Sequence, residues 1–373
     1  MKSNIENKFK HTTHNLNSMI KIESNPNINE QNLKLAYDKS CKKYGSDFIQ
    51  PIILNPVRRI IVLGDIHGDY NLAIELLQIA QVIKLGPNNY IEWTGTDTYV
   101  VQVGDQIDSC RPKDDMTCTS PETTLNDIPK DIELLKLFSD LHSKAIVSGG
   151  AVISLLGNHE LMNVDGELDY VSSANLQASN GYKGRMQMFK PGQGPMAILL
   201  GCTRQIAVII GKHFFVHAGF VDSLVNELQL DKSNAHVNLT LINTAVKLWL
   251  LGKINKESIN LILKSPDSMF WTRKLGNINP KTPMTHPTCA NNISQVLKTF
   301  NINGIIVGHT PQNFKFNQGI NSTCDNSVWR VDVGSSLAFD RFDDDLTNTN
   351  VKSTHRRAQV LEIINDSIYN VLG

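Results

Sequence analysis

Apolar residues gather in short unbroken runs separated by amphipathic stretches, the pattern of buried strands alternating with helices. Ile60-Ile61-Val62-Leu63 is the first strong run, and Leu72, Ile74, Leu76, Leu77, Ile79 and Val82 follow it at helical spacing. Residues 90–93 and 99–103 read as strands joined through the turn Thr94-Gly95-Thr96-Asp97, and residues 109–127 as a long polar loop. Residues 132–146 are spaced as a helix, residues 151–156 form another buried strand, and residues 163–195 are expected as a cap or side wall. Residues 205–210 and 213–216 form a hairpin about Gly211-Lys212, residues 220–265 are helical, and residues 293–300 are a further helix. Residues 304–307 are a strand, and residues 329–333 and 358–364 are expected as strands of a second sheet. Strand–helix alternation followed by a strand-rich C-terminal half predicts an α/β protein of two packed sheets flanked by helices.

Residues 1–30 are rich in Asn, Lys, Ser and Thr and poor in apolar residues, so they are expected as a flexible arm. Residues 31–56 supply a short helix and a lead-in, and residues 57–373 one large domain. With 373 residues, 41% of them hydrophobic, the chain has ample material for such a core. Its 36 basic and 36 acidic residues cancel, which argues against nucleic acid or an anionic membrane as partner. No run reaches the roughly 18 apolar residues of a membrane span, and the N-terminus does not read as a secretory signal. Six cysteines, at 41, 110, 118, 202, 289 and 324, show no CxxC pair, so reduced thiols in a cytoplasmic protein are expected, the alternative being that Cys110 and Cys118, which bracket a loop, pair or bind a metal.

Chemistry enters where the strands stop. Gly64-Asp65-Ile66-His67-Gly68 follows the first run, and Asp65 and His67, two residues apart, point the same way on an extended segment. Asp105, Asn158, His217 and His309 recur in the same position, each after an apolar strand and beside a glycine. Ligands of open α/β sheets bind beyond such carboxyl ends. Carboxylate, amide and imidazole donors suit two manganese, iron or zinc ions, with manganese preferred. Asp105 is the candidate bridge, Asp65, His67 and His309 are assigned to one ion, and Asn158 and His217 to the other. A hydroxide held between the ions is the expected nucleophile. His159 is then placed as general acid with Asp108 orienting its ring, and Arg273, in Phe270-Trp271-Thr272-Arg273, as a phosphate fork.

These motifs, with Gly104-Asp105-Gln106-Ile107-Asp108, Gly157-Asn158-His159-Glu160, His217-Ala218-Gly219 and Gly308-His309, resemble the signature of the calcineurin-like metallophosphoesterases. Gly-Asn-His-Glu and the Arg after Phe-Trp-Thr resemble the phosphoprotein phosphatase branch. Residues 155–164 and Trp329-Arg330-Val331-Asp332-Val333-Gly334 are most similar to the Shewanella-like protein phosphatases. The resemblance implies a four-layer fold, two central mixed sheets in a sandwich between helices, with a dinuclear metal centre. It implies hydrolysis of Ser/Thr or Tyr phosphomonoesters on a phosphorylated protein or peptide, and names no regulatory partner. One departure stands out. The second motif of the family continues Asp-Arg-Gly, whereas Asp108 is followed by Ser109, Cys110 and then Arg111. Either Arg111 bends back to the phosphate or the site has one guanidinium fewer. Two other readings are a dinucleoside polyphosphate hydrolase and a catalytically weak phosphoprotein-binding scaffold.

Overall fold

The computed structural model describes residues 25–45, 48, 51–113, 116–124, 126–340 and 354–373. Its strands are β1 (Ile53–Leu54), β2 (Arg59–Leu63), β3 (Ile83–Leu85), β4 (Ile91–Trp93), β5 (Tyr99–Gln102), β6 (Ala151–Leu155) and β7 (Arg204–Gln205). They continue as β8 (Ala207–Ile210), β9 (His213–Val216), β10 (Gly304–Val307), β11 (Asn321–Thr323), β12 (Val328–Arg330), β13 (Val360–Ile364) and β14 (Ile368–Leu372). One six-stranded sheet runs β14-β13-β2-β5-β6-β7 and the other β1-β8-β9-β10-β12-β11. Both are mixed: β2, β5, β6 and β7 are parallel neighbours in the first, and β9, β10 and β12 in the second.

The alternation of side chains along each strand builds the layers. Ile60, Val62, Val101, Val103 and Ile153 face Val208, Ile210, Phe215 and Ile306 across the sandwich. Ile61, Leu63, Val100 and Val152 point outward onto Leu72, Leu76, Leu134 and Phe138 of the helices Tyr70–Ile79 and Asp131–Ala145. On the far side, Ile209, Phe214, Val216 and Ile305 pack on the helices Pro195–Thr203, Ala235–Leu250 and Pro287–Phe300. The strands read as unbroken apolar runs because both faces of each sheet are covered. The expected four-layer fold is therefore present.

Several details differ from the sequence reading. Residues 329–333 and 358–364, expected as strands of a second sheet, supply β12 and β13, which divide between the two sheets: β12 pairs with β10, and β13 pairs with β2. Strand β4 turns back on β3 to form a separate two-stranded ribbon. Residues 163–195 are helical, in Asn158–Asp165, Ser173–Ala178 and Gly181–Phe189. Of the arm expected over residues 1–30, residues 1–24 lie outside the described residues, and Ile28 is buried in the main core. Ile52 joins that core and β1 pairs with β8, so Ile28, Ile52 and β1 pack as part of the same body.

The expectation of reduced thiols is corrected. Cys41 pairs with Cys202, Cys110 with Cys118, and Cys289 with Cys324, leaving no free cysteine. A separation of 161 residues, as between Cys41 and Cys202, leaves no local pattern in sequence. Disulfides belong to oxidising surroundings, which removes the basis for the cytoplasmic assignment. Among the described residues, no helix is long and apolar enough to cross a membrane.

Candidate metal centre

The candidate residues leave the carboxyl ends of neighbouring strands. Asp65 follows β2, Asp105 follows β5 and Asn158 follows β6, three parallel neighbours of one sheet. His217 follows β9 and His309 follows β10, parallel neighbours of the other. Both sheets thus deliver side chains to one edge of the sandwich. The turns there are tight. His67, Asp105, Asp108 and His309 all have positive φ, between 47° and 72°, a costly conformation for residues other than glycine. A Cβ on Gly157 would collide with the Asp105 carboxylate, and one on Gly308 with that of Asp65. The glycines beside the candidate ligands make room for them.

Asp105 sits between two sets of donors. Its Oδ2 lies 3.4 Å from His217 Nε2 and 3.9 Å from the Nε2 atoms of His67 and His159. One group capable of holding an ion is His67, Asp105 and His159, and another is Asp105, His217 and His309, with ligand atoms in each within 4.8 Å of one another. Asn158 Oδ1 is 2.9 Å from His217 Nε2, and Asp65 Oδ2 is 4.0 Å from His67 Nε2. The structure brings all six candidate ligands together, with one change of partner. Assigned with Asp65 and His67, the His309 ring instead faces His217 at 5.0 Å, because β9 and β10 are adjacent. Its peptide N–H donates to Asp65 Oδ2 at 3.0 Å.

The donor set fits divalent ions. Asp65 Oδ1, His309 Nε2 and Asp332 Oδ2 are buried without a hydrogen-bond partner, a costly state that a cation would relieve. Burial, with Asp332 and Asp105 nearby, pushes the Asp65 carboxyl well above the usual range. Burial likewise raises Asp332 to about 6. Burial opposes ionisation of Asp105 too, yet the imidazoles of His217, His159 and His67 hold it well below the usual range. Burial depresses His67 and His309, aided by Arg111 at the first and by His217 and Arg273 at the second. Both rings are thereby kept neutral, the form that ligates metal.

His159 Nδ1 is 2.8 Å from Asp108 Oδ2. Asn163, one turn beyond His159, donates to Asp108 Oδ1 at 2.8 Å and takes a 2.7 Å bond from Arg185 Nε. Arg185 is fully buried and forks onto Asp131 at 2.7 and 3.1 Å. Arg273 donates to the His309 carbonyl at 2.8 Å. Arg111 bends back toward the site, onto the ring of His67. Its Nη2 lies 2.8 and 2.7 Å from the ring nitrogens of His67, and its guanidinium covers the Phe339 ring at 4.6 Å. The Cys110–Cys118 bond and the Arg111 contacts to the carbonyls of Asp108 and Cys110 fold the loop back.

Other residues escaped the sequence reading. Glu160 accepts the N–H groups of Asp105, Gln106, Ile107 and Gly157 at 2.7–3.3 Å, pinning two ligand loops at once. Gln102 Nε2 donates to the carbonyls of Gly64 and Gly104. Asp332 was detectable, since it follows the parallel strand β12 just as the other candidates follow theirs. Asn163 and Arg185 were not, because a buried arginine looks like a surface one in sequence.

This fold and centre define a phosphoesterase of the metal-dependent class. The chain belongs to the calcineurin-like phosphoesterase family, whose model matches residues 58–313. It is 36% identical over 255 residues to protein R398 of Acanthamoeba polyphaga mimivirus, covering 63% of this chain and 97% of that protein. It is 24% identical over 321 residues to Shewanella-like protein phosphatase 2 of Arabidopsis thaliana, covering 74% of this chain and 71% of that one. The cold-active protein-tyrosine phosphatase of a psychrophilic Shewanella superposes with a TM-score of 0.60 at 19% identity, over 88% of this chain and 84% of that one, which establishes the shared fold. The resemblance to Shewanella-like protein phosphatases is thus borne out.

Proposed function

We propose that the protein is a phosphoprotein phosphatase that hydrolyses Ser/Thr or Tyr phosphomonoesters by direct attack of water, without a phosphoenzyme. The observation that carries this reading is the convergence of His67, His217 and His309 on Asp105, with His159, paired to Asp108, reaching the same carboxylate. Asp65, His67 and Asp105 would hold one ion, and Asp105, Asn158, His217 and His309 the other, with manganese preferred over iron or zinc for this donor set. The chemistry such ions supply when bound is Lewis acidity toward phosphoryl oxygens and toward water.

The chain's own groups do the rest. Asp108 takes the Nδ1 proton of His159 in a hydrogen bond, which fixes the ring and leaves Nε2 to protonate the departing alkoxide. Asn163 and the Arg185–Asp131 pair hold Asp108 from behind. Arg273 and Arg111 would supply guanidinium donors to a phosphate dianion, Arg111 by exchanging its contact with His67 for one with the phosphate. Arg111→Ala is expected to raise KM about 10- to 100-fold, the scale of about 1.5–3 kcal/mol for hydrogen bonds to a charged group. Unchanged steady-state kinetics would assign Arg111 to the loop alone.

Metal analysis of the purified protein tests the reading, together with turnover of a phosphoserine peptide, a phosphotyrosine peptide and a dinucleoside tetraphosphate. Two ions per chain and turnover of a phosphopeptide are expected. Preferred cleavage of the tetraphosphate, or metal without turnover of any of the three, overturns it.

A further inference from the structure

Away from the metal centre, a cavity of about 520 Å³ opens between the helix Glu30–Ser40, residues Phe48, Pro51, Ile52 and Ile53, and the helix Ala235–Leu250. Tyr37, Phe48 and Ile52 contribute apolar wall, and Gln205 and Lys247 are polar residues on the same lining. The size falls within the roughly 300–1,000 Å³ of small-molecule sites. The wall is braced: the Cys41–Cys202 disulfide ties the end of the helix Glu30–Ser40 to the helix Pro195–Thr203, and Tyr37 Oη donates to the Gly45 carbonyl.

Lys247 is the unusual feature. Only 6% exposed, it has no carboxylate close enough to shift its ammonium. Burial alone pushes its ammonium down to about 8. An unpaired buried charge is costly, and a neutral Leu or Met would fill the same helix position without that cost. Gln205 Oε1 is likewise buried without a donor. The other charged residues on the lining, Glu30 and Lys34, are exposed, opposite in sign and one helical turn apart, so they offset each other.

We propose that this cavity binds a small apolar monocarboxylate. Its carboxylate pairs with Lys247, and its tail lies among Tyr37, Phe48 and Ile52. One buried ammonium matches one negative charge; a phosphate dianion would bring a second charge with no buried partner. The site is independent of the phosphatase reading, because none of its lining residues belongs to the metal centre.

Titration calorimetry of the full chain with 2-hydroxyoctanoate tests this. Saturable binding of one molecule per chain is expected, at least about tenfold weaker in Lys247→Met and absent with octan-1-ol. Because the ammonium is lost as pH rises through about 8, wild-type affinity is expected to fall at least about tenfold between about pH 7 and about pH 9.5. That second arm decides the matter if Lys247→Met fails to fold. Binding that is indifferent to Lys247 and to pH, equal binding of octan-1-ol, or no binding at millimolar ligand, each overturns the proposal.

Discussion

Asp105→Asn is expected to leave a folded protein that has lost turnover by at least about 10³-fold, an increase in barrier of about 4 kcal/mol. Its metal content is expected to fall from two ions per chain to one or fewer. Asp105 is common to both groups of potential ligands, so a change there touches both. Asparagine is the informative replacement. It keeps the acceptor that receives the His159 N–H at 3.0 Å, and it tolerates the positive φ of 52° better than alanine does. What it removes is the second oxygen and the negative charge, replacing them with a donor NH2 facing His217, His67 and His159. Loss of one carboxylate also changes the electrostatics of its neighbours, since Asp105 raises the pKa of Asp65 and Glu160. Retention of two ions and of wild-type kcat would show that Asp105 bridges nothing.

The strand ends were legible in the sequence because covered parallel strands must be apolar throughout, and the first polar residue after each run marks the edge of its sheet. That logic found Asp65, Asp105, Asn158, His217 and His309, and the fold sets them on adjacent strands. It does not say which strand lies beside which. Val328–Arg330 and Val360–Ile364 are both short apolar runs, and neither encodes whether its partner is β10 or β2. The same blindness separated His309 from His217 in the sequence reading. Pairings over long separations were also out of reach, as with Cys41 and Cys202, and so was the polar support behind the site. Glu160 serves loops more than 50 residues away, with bonds to Asp105 and Gln106. Arg111 shows both limits together: its spacing from Asp108 flagged a departure, but its return to His67 depends on a loop closed by Cys110 and Cys118.

His159→Ala is expected to cut kcat on a phosphoserine peptide by about 10²–10⁴-fold, the range of a lost general acid, with KM and metal content little changed. The chemistry behind this is specific. A serine alkoxide is a poor leaving group that needs a proton as the P–O bond breaks, whereas p-nitrophenolate needs little help. The loss should therefore shrink on p-nitrophenyl phosphate, and Asp108→Asn should reproduce a smaller version of the same substrate dependence by weakening the 2.8 Å contact that orients the ring. The position of His159 sharpens the test. Its Nε2 stands 3.9 Å from Asp105 Oδ2, and with His67 and Asp105 it forms a group able to hold an ion. If His159 were a ligand, its removal would release metal and depress both substrates alike. If it is the acid, the ions stay and the penalty follows the basicity of the leaving group, so metal content and leaving-group dependence, measured on one variant, separate the two roles.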